Sequence, residues 1–140
     1  MHSVNFLSIL VAAIAAWIFG GAYYTALSRQ WMAAHGKTIE QCKAEMAAKS
    51  GMARGAPFVI VFIADLIIGW VLYGIMTHMG MFTLRAGAIS DAFCWFGFVL
   101  TTIATNNAFA GRKVMLTVID SIAWLGAFLI IGAIVGLWGP

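Results

Sequence analysis

The sequence predicts an all-α protein: an integral membrane bundle of four transmembrane helices, with one short cytoplasmic amphipathic helix between spans one and two. Of its 140 residues, 63% are hydrophobic and 9% are charged. Soluble domains carry about 25% charged residues, so a soluble domain is excluded. The hydrophobic residues fall into four runs of about 20 residues, the length of helix that crosses about 30 Å of hydrocarbon.

The four runs form a single membrane domain over residues 1–140, with spans at residues 4–27, 57–77, 91–110 and 114–138. The first run is predicted to be a retained helix rather than a signal peptide. No Lys or Arg precedes it, and it is longer than the apolar core of a signal peptide. Asp91, which follows Ser90, is interpreted as a charge at the N-terminus of the third span, where the helix dipole favours it.

The connection between spans one and two contains the predicted amphipathic helix, over residues 39–49. Thr38 is followed three residues later by Gln41, which is the pattern of a capping box. Apolar residues then recur at helical spacing, and they are Ile39, Cys42 and Met46. The helix is expected to lie against the membrane or the ends of the bundle.

Basic residues predict the orientation. Seven of the eight Lys and Arg residues fall in the first and third connections, and Arg85 alone falls on the other side. The seven are Arg29, Lys37, Lys43, Lys49, Arg54, Arg112 and Lys113. By the positive-inside rule, residues 28–56 are expected to be cytoplasmic and both termini periplasmic, in a bacterial inner membrane.

Small residues predict close helix packing. Ser8, Ala12, Ala16 and Gly20 recur every four residues in the first span, and the last span carries Gly132 and Gly136. Such ridges let a second helix approach closely. We expect a compact bundle among membrane lipids, forming a homo-oligomer or packing against a partner membrane protein. The basic residues are too dispersed to indicate nucleic-acid binding.

Each span contributes a polar residue to one predicted layer in the cytoplasmic half of the membrane. At about 1.5 Å per residue, these side chains lie roughly 8 to 12 Å from the cytoplasmic helix ends. They are Tyr24, Asp65, Asn106, Asn107 and Asp120. A carboxylate in hydrocarbon must be neutralised, and no Lys or Arg lies within the spans. Two interpretations stay open: interhelical hydrogen bonding, or a site for a proton, a cation or a small polar solute.

Three tryptophans fall well inside their spans. An indole N–H in hydrocarbon needs an acceptor, so Trp17, Trp70 and Trp124 are expected either to line a pocket for an apolar ligand or to fill space between small residues.

The sequence gives no indication of an enzyme. Nucleotide-binding, hydrolase and metalloprotease motifs are absent, and neither cysteine has a histidine beside it. The outer side offers a weak soft-metal pattern in His78, Met79 and Met81, with Met1 and His2 expected nearby. We predict no cofactor and no metal site.

The chain also resembles the bacterial membrane-protein family catalogued as domain of unknown function 1761. The residues that carry the likeness are Asn5, Leu7 to Ala16, Gly21, Tyr24, Trp31, Asn107, Phe109, Gly111, Arg112, Ile119, Asp120 and Gly132 to Trp138. The resemblance implies four membrane helices and brings no known activity. It implies that Tyr24, Asn107, Arg112 and Asp120 belong to the family pattern. Ala26 stands where the family's first span closes with proline.

These observations lead to three hypotheses. The first is a small transport protein whose polar layer binds or passes a proton, cation or small polar solute. The second is a structural or assembly subunit of a larger membrane complex. The third is a binder of a lipid-like apolar ligand between the three tryptophans.

Overall fold

The computed structural model describes residues 4–140, which fold into six helices. They are α1 (Phe6–Ala26), α2 (Ser28–Ala34), α3 (Ile39–Ala48), α4 (Gly51–Met79), α5 (Leu84–Phe109) and α6 (Val114–Leu137). Four of these, α1, α4, α5 and α6, are long and apolar enough to cross a membrane. The predicted all-helical membrane bundle is therefore confirmed.

Helices α1 and α6 closely match the first and last predicted spans. Asn5 caps α1, where its side-chain oxygen accepts a hydrogen bond of 3.2 Å from the backbone N–H of Ser8. Its side-chain nitrogen donates to the backbone oxygen of Trp138 at 3.1 Å. One residue thus starts the first span and ties it to the end of the last.

The second span is longer than predicted. Helix α4 begins at Gly51, where the hydroxyl of Ser50 accepts from the backbone N–H of Ala53 at 3.2 Å. It ends at Gly80, whose φ of 65° requires a residue without a side chain. Pro57, the predicted start, lies inside the helix. The apolar run identified only the membrane segment, and the helix continues past it through small exposed residues.

The third span also begins earlier than predicted, and this corrects the interpretation of Asp91. Helix α5 starts at Leu84, because the Thr83 hydroxyl accepts a hydrogen bond of 3.0 Å from the backbone N–H of Ala86. Asp91 therefore lies two turns inside the helix rather than at its N-terminus. Further along, residues Trp95–Leu100 form a π-helical segment.

Helix α6 is the central helix and packs against α1, α4 and α5. The predicted small-residue ridge is confirmed for Ser8, Ala12 and Ala16, which are buried. Gly20 is only partly buried, and no atom of another element lies near it. The closest approach joins α5 to α6, where a Cβ at Gly87 would overlap the backbone oxygen of Gly132.

The bundle has two distinct ends. We call the end with residues 27–50 and 110–113 the basic end, and the end with residues 80–83 and Pro140 the terminal end. Helix α2, which the sequence did not predict, lies at the basic end and packs Ala34 against Leu116 and Ile119. Helix α3 and its capping box are confirmed: Thr38 and Gln41 exchange both hydrogen bonds. No residue of α3 is buried.

Candidate functional site

A hydrogen bond between a phenol and a carboxylate lies at the basic end of the bundle. The hydroxyl of Tyr24 donates to Oδ1 of Asp120 at 2.8 Å. The preceding residue, Tyr23, donates to the backbone oxygen of Ile119, also at 2.8 Å. Two consecutive tyrosines in the last turn of α1 thus bind two consecutive residues of α6, which fixes the register of the two helices.

A second polar contact joins the end of α5 to the start of α6. Asn107, 5% exposed, donates from Nδ2 to the hydroxyl of Thr117 at 3.0 Å. Arg112 donates to Oδ1 of the same amide at 3.3 Å. Gly111, with a φ of 63°, forms the tight turn between the helices. This turn places the guanidinium of Arg112 next to the Asn107 amide at the basic end.

Helix α2 covers the basic end. Trp31 lies edge-on to Tyr24, with ring centroids 6.4 Å apart, and its ring centroid is 4.1 Å from that of His35. The ammonium of Lys113 donates to the backbone oxygen of Ala33 at 3.3 Å, which holds α2 in place. The polar residues therefore lie beneath a short helix that ends at a histidine.

The electrostatics of His35 connect it to the same cluster. Partial burial lowers the pKa of its imidazole, and the charges of Arg112 and Lys37 lower it further. The charge of Asp120 acts in the opposite direction. His35 could not be placed here from the sequence, because its position depends on helix α2, which was not predicted. We name Tyr24, His35, Asn107, Arg112 and Asp120 the basic-end cluster.

The structure brings together only part of the predicted polar layer. Tyr24 bonds Asp120, and Asn107 bonds Thr117 of the same helix α6, both towards the basic end, whereas Asn106 is exposed on the outside of α5. Asp65 lies midway between Gly51 and Met79, and its two oxygens have no hydrogen-bond partner among the described residues. Asp65 was placed too near the helix end because its depth was counted from Pro57. The described contacts therefore join Tyr24 to Asp120 and leave Asp65 and Asn106 apart from them, and a binding role for the five residues stays a prediction.

The three tryptophans do not surround a common cavity. Trp17 donates its indole N–H to the backbone oxygen of Phe58 at 3.0 Å, and Trp124 packs against the core. Trp70 is 57% exposed and lines a cavity of about 780 Å³ at the terminal end, with Tyr73 and Phe82. A ligand-lining role for these tryptophans stays a prediction.

The weak soft-metal pattern gains no support from the described residues. The imidazole of His78 donates to the backbone oxygen of Gly74 at 2.8 Å, so this ring nitrogen is engaged within its own helix. Met1 and His2 lie outside the described residues. In the described part of the chain, no three His, Cys, Asp or Glu side chains converge as metal ligands would.

Sequence reasoning missed several buried polar groups. Asp91 is 0% exposed, and neither of its oxygens has a hydrogen-bond partner in the described structure; the same holds for the hydroxyls of Tyr73 and Ser121. If Thr83 had been recognised as a helix cap, Asp91 would have been placed inside α5. The spacing of Gly87 and Asp91 by one turn would then have indicated a shared face.

These features define a small multipass helical membrane protein with a polar cluster at one end of the bundle. The chain belongs to the family described as "Protein of unknown function (DUF1761)", whose model matches residues 7–136. The resemblance noted from the sequence is therefore confirmed over nearly the whole chain. No curated protein and no solved structure matches it.

Proposed function

We propose that this protein binds a proton at the hydrogen-bonded pair of Tyr24 and Asp120 and passes it through the bundle. The observation that carries the proposal is the 2.8 Å hydrogen bond from the Tyr24 hydroxyl to the Asp120 carboxylate, near the basic end. Asp120 is partly buried, so we propose that its carboxylate is shielded by the bundle on one side and reached by water on the other. Such a group can exchange a proton without leaving an unpaired charge in hydrocarbon.

The neighbouring charges favour a proton over a metal cation. A cation needs several oxygen ligands, and another oxygen of the cluster, Oδ1 of Asn107, already accepts from Arg112 at 3.3 Å. A guanidinium at this position repels a second cation. Protonation of Asp120 requires no further ligand, so the cluster suits a proton best.

Helix α2 supplies an entry group for this proton. Because its pKa is lowered, His35 is neutral in neutral solution, and a neutral imidazole can accept a proton from water. Its ring is close enough to Asp120 for the two charges to interact. We propose that a proton moves from solution to His35 and then to Asp120.

We also propose that the protein lies in a bacterial inner membrane with the basic end in the cytoplasm and both termini in the periplasm. The support is the concentration of six of the eight Lys and Arg residues at the basic end, with a seventh, Arg54, in the adjoining first turn of α4. Reporter fusions at Pro140 test this orientation. If a reporter that works only in the cytoplasm were active when fused at Pro140, the proposed orientation would be contradicted.

Proton flux in proteoliposomes tests the proposed function. With a pH-sensitive dye inside and an imposed pH gradient, the wild-type protein should collapse the gradient faster than empty vesicles. Asp120→Asn should lower this rate by about tenfold or more, since the amide cannot carry the proton. Glu40→Gln, which removes an exposed carboxylate from α3, should leave the rate unchanged. A protein that moves sodium or potassium but no protons would contradict the proposal.

One observation favours a second candidate function, assembly with another membrane helix. The outside of α5 exposes Asn106 within the span, together with small residues one turn before and after it, at Thr102 and Ala110. An amide facing lipid is costly, and small residues beside it allow close helix contact. We propose a second copy of this chain as the partner. Cysteine at residue 106, in a chain with Cys42 and Cys94 replaced, should cross-link two copies, whereas cysteine at the lipid-exposed residue 59 should not.

A further inference from the structure

Asp91 is a fully buried carboxyl in the half of the bundle opposite the basic-end cluster. It lies seven residues after Leu84, which is about 10 Å from the terminal end of α5. Its exposure is 0%, and neither oxygen has a hydrogen-bond partner in the described structure. An ionised carboxylate without a partner costs several kcal/mol in such surroundings. The chain therefore needs a way to neutralise this group.

The geometry around Asp91 suits a protonated carboxyl. A Cβ added to Gly132 of α6 would overlap Oδ2 of Asp91 and would also lie 2.7 Å from the backbone oxygen of Gly87. Two oxygens, one from Asp91 and one from Gly87, thus flank the same point on α6. A carbonyl oxygen repels a carboxylate but accepts a hydrogen bond from a carboxylic acid. The backbone oxygen of Gly87 is thus a nearby acceptor for a protonated Asp91.

No cation in the surrounding helices compensates a charge on Asp91. Residues 121–137 of α6 and 6–22 of α1 contain no titratable side chain. From α4, Tyr73 packs against the ring of Phe82 and His78 bonds its own helix. On α5 itself, Arg85 is exposed, and the Cys94 thiol, one turn after Asp91, carries no positive charge in either protonation state. Within the described part of the chain, a proton is the neutralising species that remains.

We propose that Asp91 is a proton-binding site separate from the basic-end cluster, and that loss of its proton opens the contact between α5 and α6 at Gly87 and Gly132. The carboxylate formed on ionisation must be hydrated, and the proton passes to water. The close contact of the two glycines leaves no room for that water. The two helices must separate locally for the charge to be solvated.

The two native cysteines report this opening. Cys94 is partly buried and packs against the core one turn from Asp91, whereas Cys42 lies on α3, which has no buried residue. The experiment measures the alkylation rates of both thiols by a membrane-permeable maleimide, in full-length protein in liposomes, as the pH is raised. Dividing the Cys94 rate by the Cys42 rate removes the pH dependence of the reagent, and comparing the ratio with that of Asp91→Asn separates the opening of the helices from the ionisation of Cys94 itself.

The ratio of Cys94 to Cys42 alkylation should rise with pH, by up to about tenfold per pH unit while the closed, protonated form predominates, because one proton is released on opening. In Asp91→Asn the ratio should rise much less with pH, and in Asp65→Asn it should follow the wild-type curve. A wild-type ratio that does not change with pH would overturn the proposal, and so would an unchanged rise in Asp91→Asn. If Asp91→Asn does not fold, the infrared titration of the wild type decides the matter.

An infrared titration supplies an independent readout. A protonated carboxyl has a C=O stretch that a carboxylate lacks. Asp91→Asn should remove one such band from the wild-type spectrum, and that band should disappear from the wild type over the pH range in which Cys94 becomes accessible. A wild-type spectrum whose protonated-carboxyl bands are all retained in Asp91→Asn would overturn the assignment.

Discussion

The hydroxyl of Tyr24 donates a hydrogen bond of 2.8 Å to the carboxylate of Asp120, joining the last turn of α1 to the second turn of α6. The bond connects residues 96 positions apart in the chain. It therefore serves two purposes. It fixes how two membrane helices align, and it gives a partly buried carboxylate its only side-chain partner among the described residues.

This hydrogen bond should contribute measurably to stability. Tyr24→Phe keeps the ring packed against Trp31 but leaves Asp120 without its donor, so we expect a loss of about 1.5–3 kcal/mol, the range for hydrogen bonds to charged groups. Tyr23→Phe, which removes a donor to a neutral backbone oxygen, should cost less, about 0.5–1.5 kcal/mol. Denaturant unfolding in detergent measures both. Equal losses would mean that the charge on Asp120 adds nothing to the contact.

The α5–α6 contact should tolerate no side chain at its centre. Gly132→Ala places a Cβ against both Asp91 and the backbone of Gly87, so it should destabilise the protein by about 1–3 kcal/mol or more. Gly74→Ala is the matched control, because no atom of another element lies near that glycine. It should be neutral or stabilising. Thermal unfolding compares the two, and similar melting temperatures would contradict the packing.

The small-residue ridge of α1 should respond in the same way. Ala16 is 1% exposed, and a leucine there must displace its neighbours. Ala16→Leu should lower stability by about 1–3 kcal/mol. Ala22→Leu, on the exposed side of the same helix, should have little effect. Retention of the wild-type melting temperature by Ala16→Leu would show that this face has no closely packed neighbour.

Titration of His35 should report the charges of the basic-end cluster. In the folded protein the pKa of His35 is lowered from its ordinary value of 6.5, so the unfolded chain binds a proton at His35 more readily than the folded one. The folded state therefore loses stability as the pH falls below 6.5. Removing a positive neighbour with Arg112→Gln should move the titration to higher pH. Removing the negative one with Asp120→Asn should move it to lower pH.

Nuclear magnetic resonance of protein labelled at histidine measures these shifts, with His78 at the other end of the bundle as an internal reference. Shifts of the same sign in both variants would contradict the proposed arrangement. So would a His35 signal that neither variant changes.

Much of the fold could be predicted from the sequence because membrane spans follow from apolar length alone. The capping box at Thr38 and Gln41 is equally local, and it was found for that reason. The helix starts at Ser50 and Thr83 were missed, although each is also a local cap. An apolar run marks the membrane segment and not the start of the helix. Asp91 was therefore expected at the end of a helix, although it lies in the interior of one.

The candidate site was only partly predictable. Depth along a helix can be counted from the sequence, and this placed Tyr24 and Asp120, which the structure joins by a hydrogen bond, at a similar depth. The side of the helix that a residue faces depends on packing, so Asn106 and Asn107 could not be separated by counting. His35 joins the cluster through a tertiary contact of the short helix α2, whose residues carry no strong periodicity of their own.

The claim that Tyr24 and Asp120 form one proton-binding site is tested most directly by measuring proton flux in the two single variants and the double variant. In proteoliposomes under an imposed pH gradient, we compare the wild type with Tyr24→Phe, Asp120→Asn and the combined variant. If the two residues act as one site, each single change should reduce the rate, and the double variant should be no slower than Asp120→Asn alone. Independent, multiplying reductions, or a wild-type rate equal to that of empty vesicles, would contradict the account.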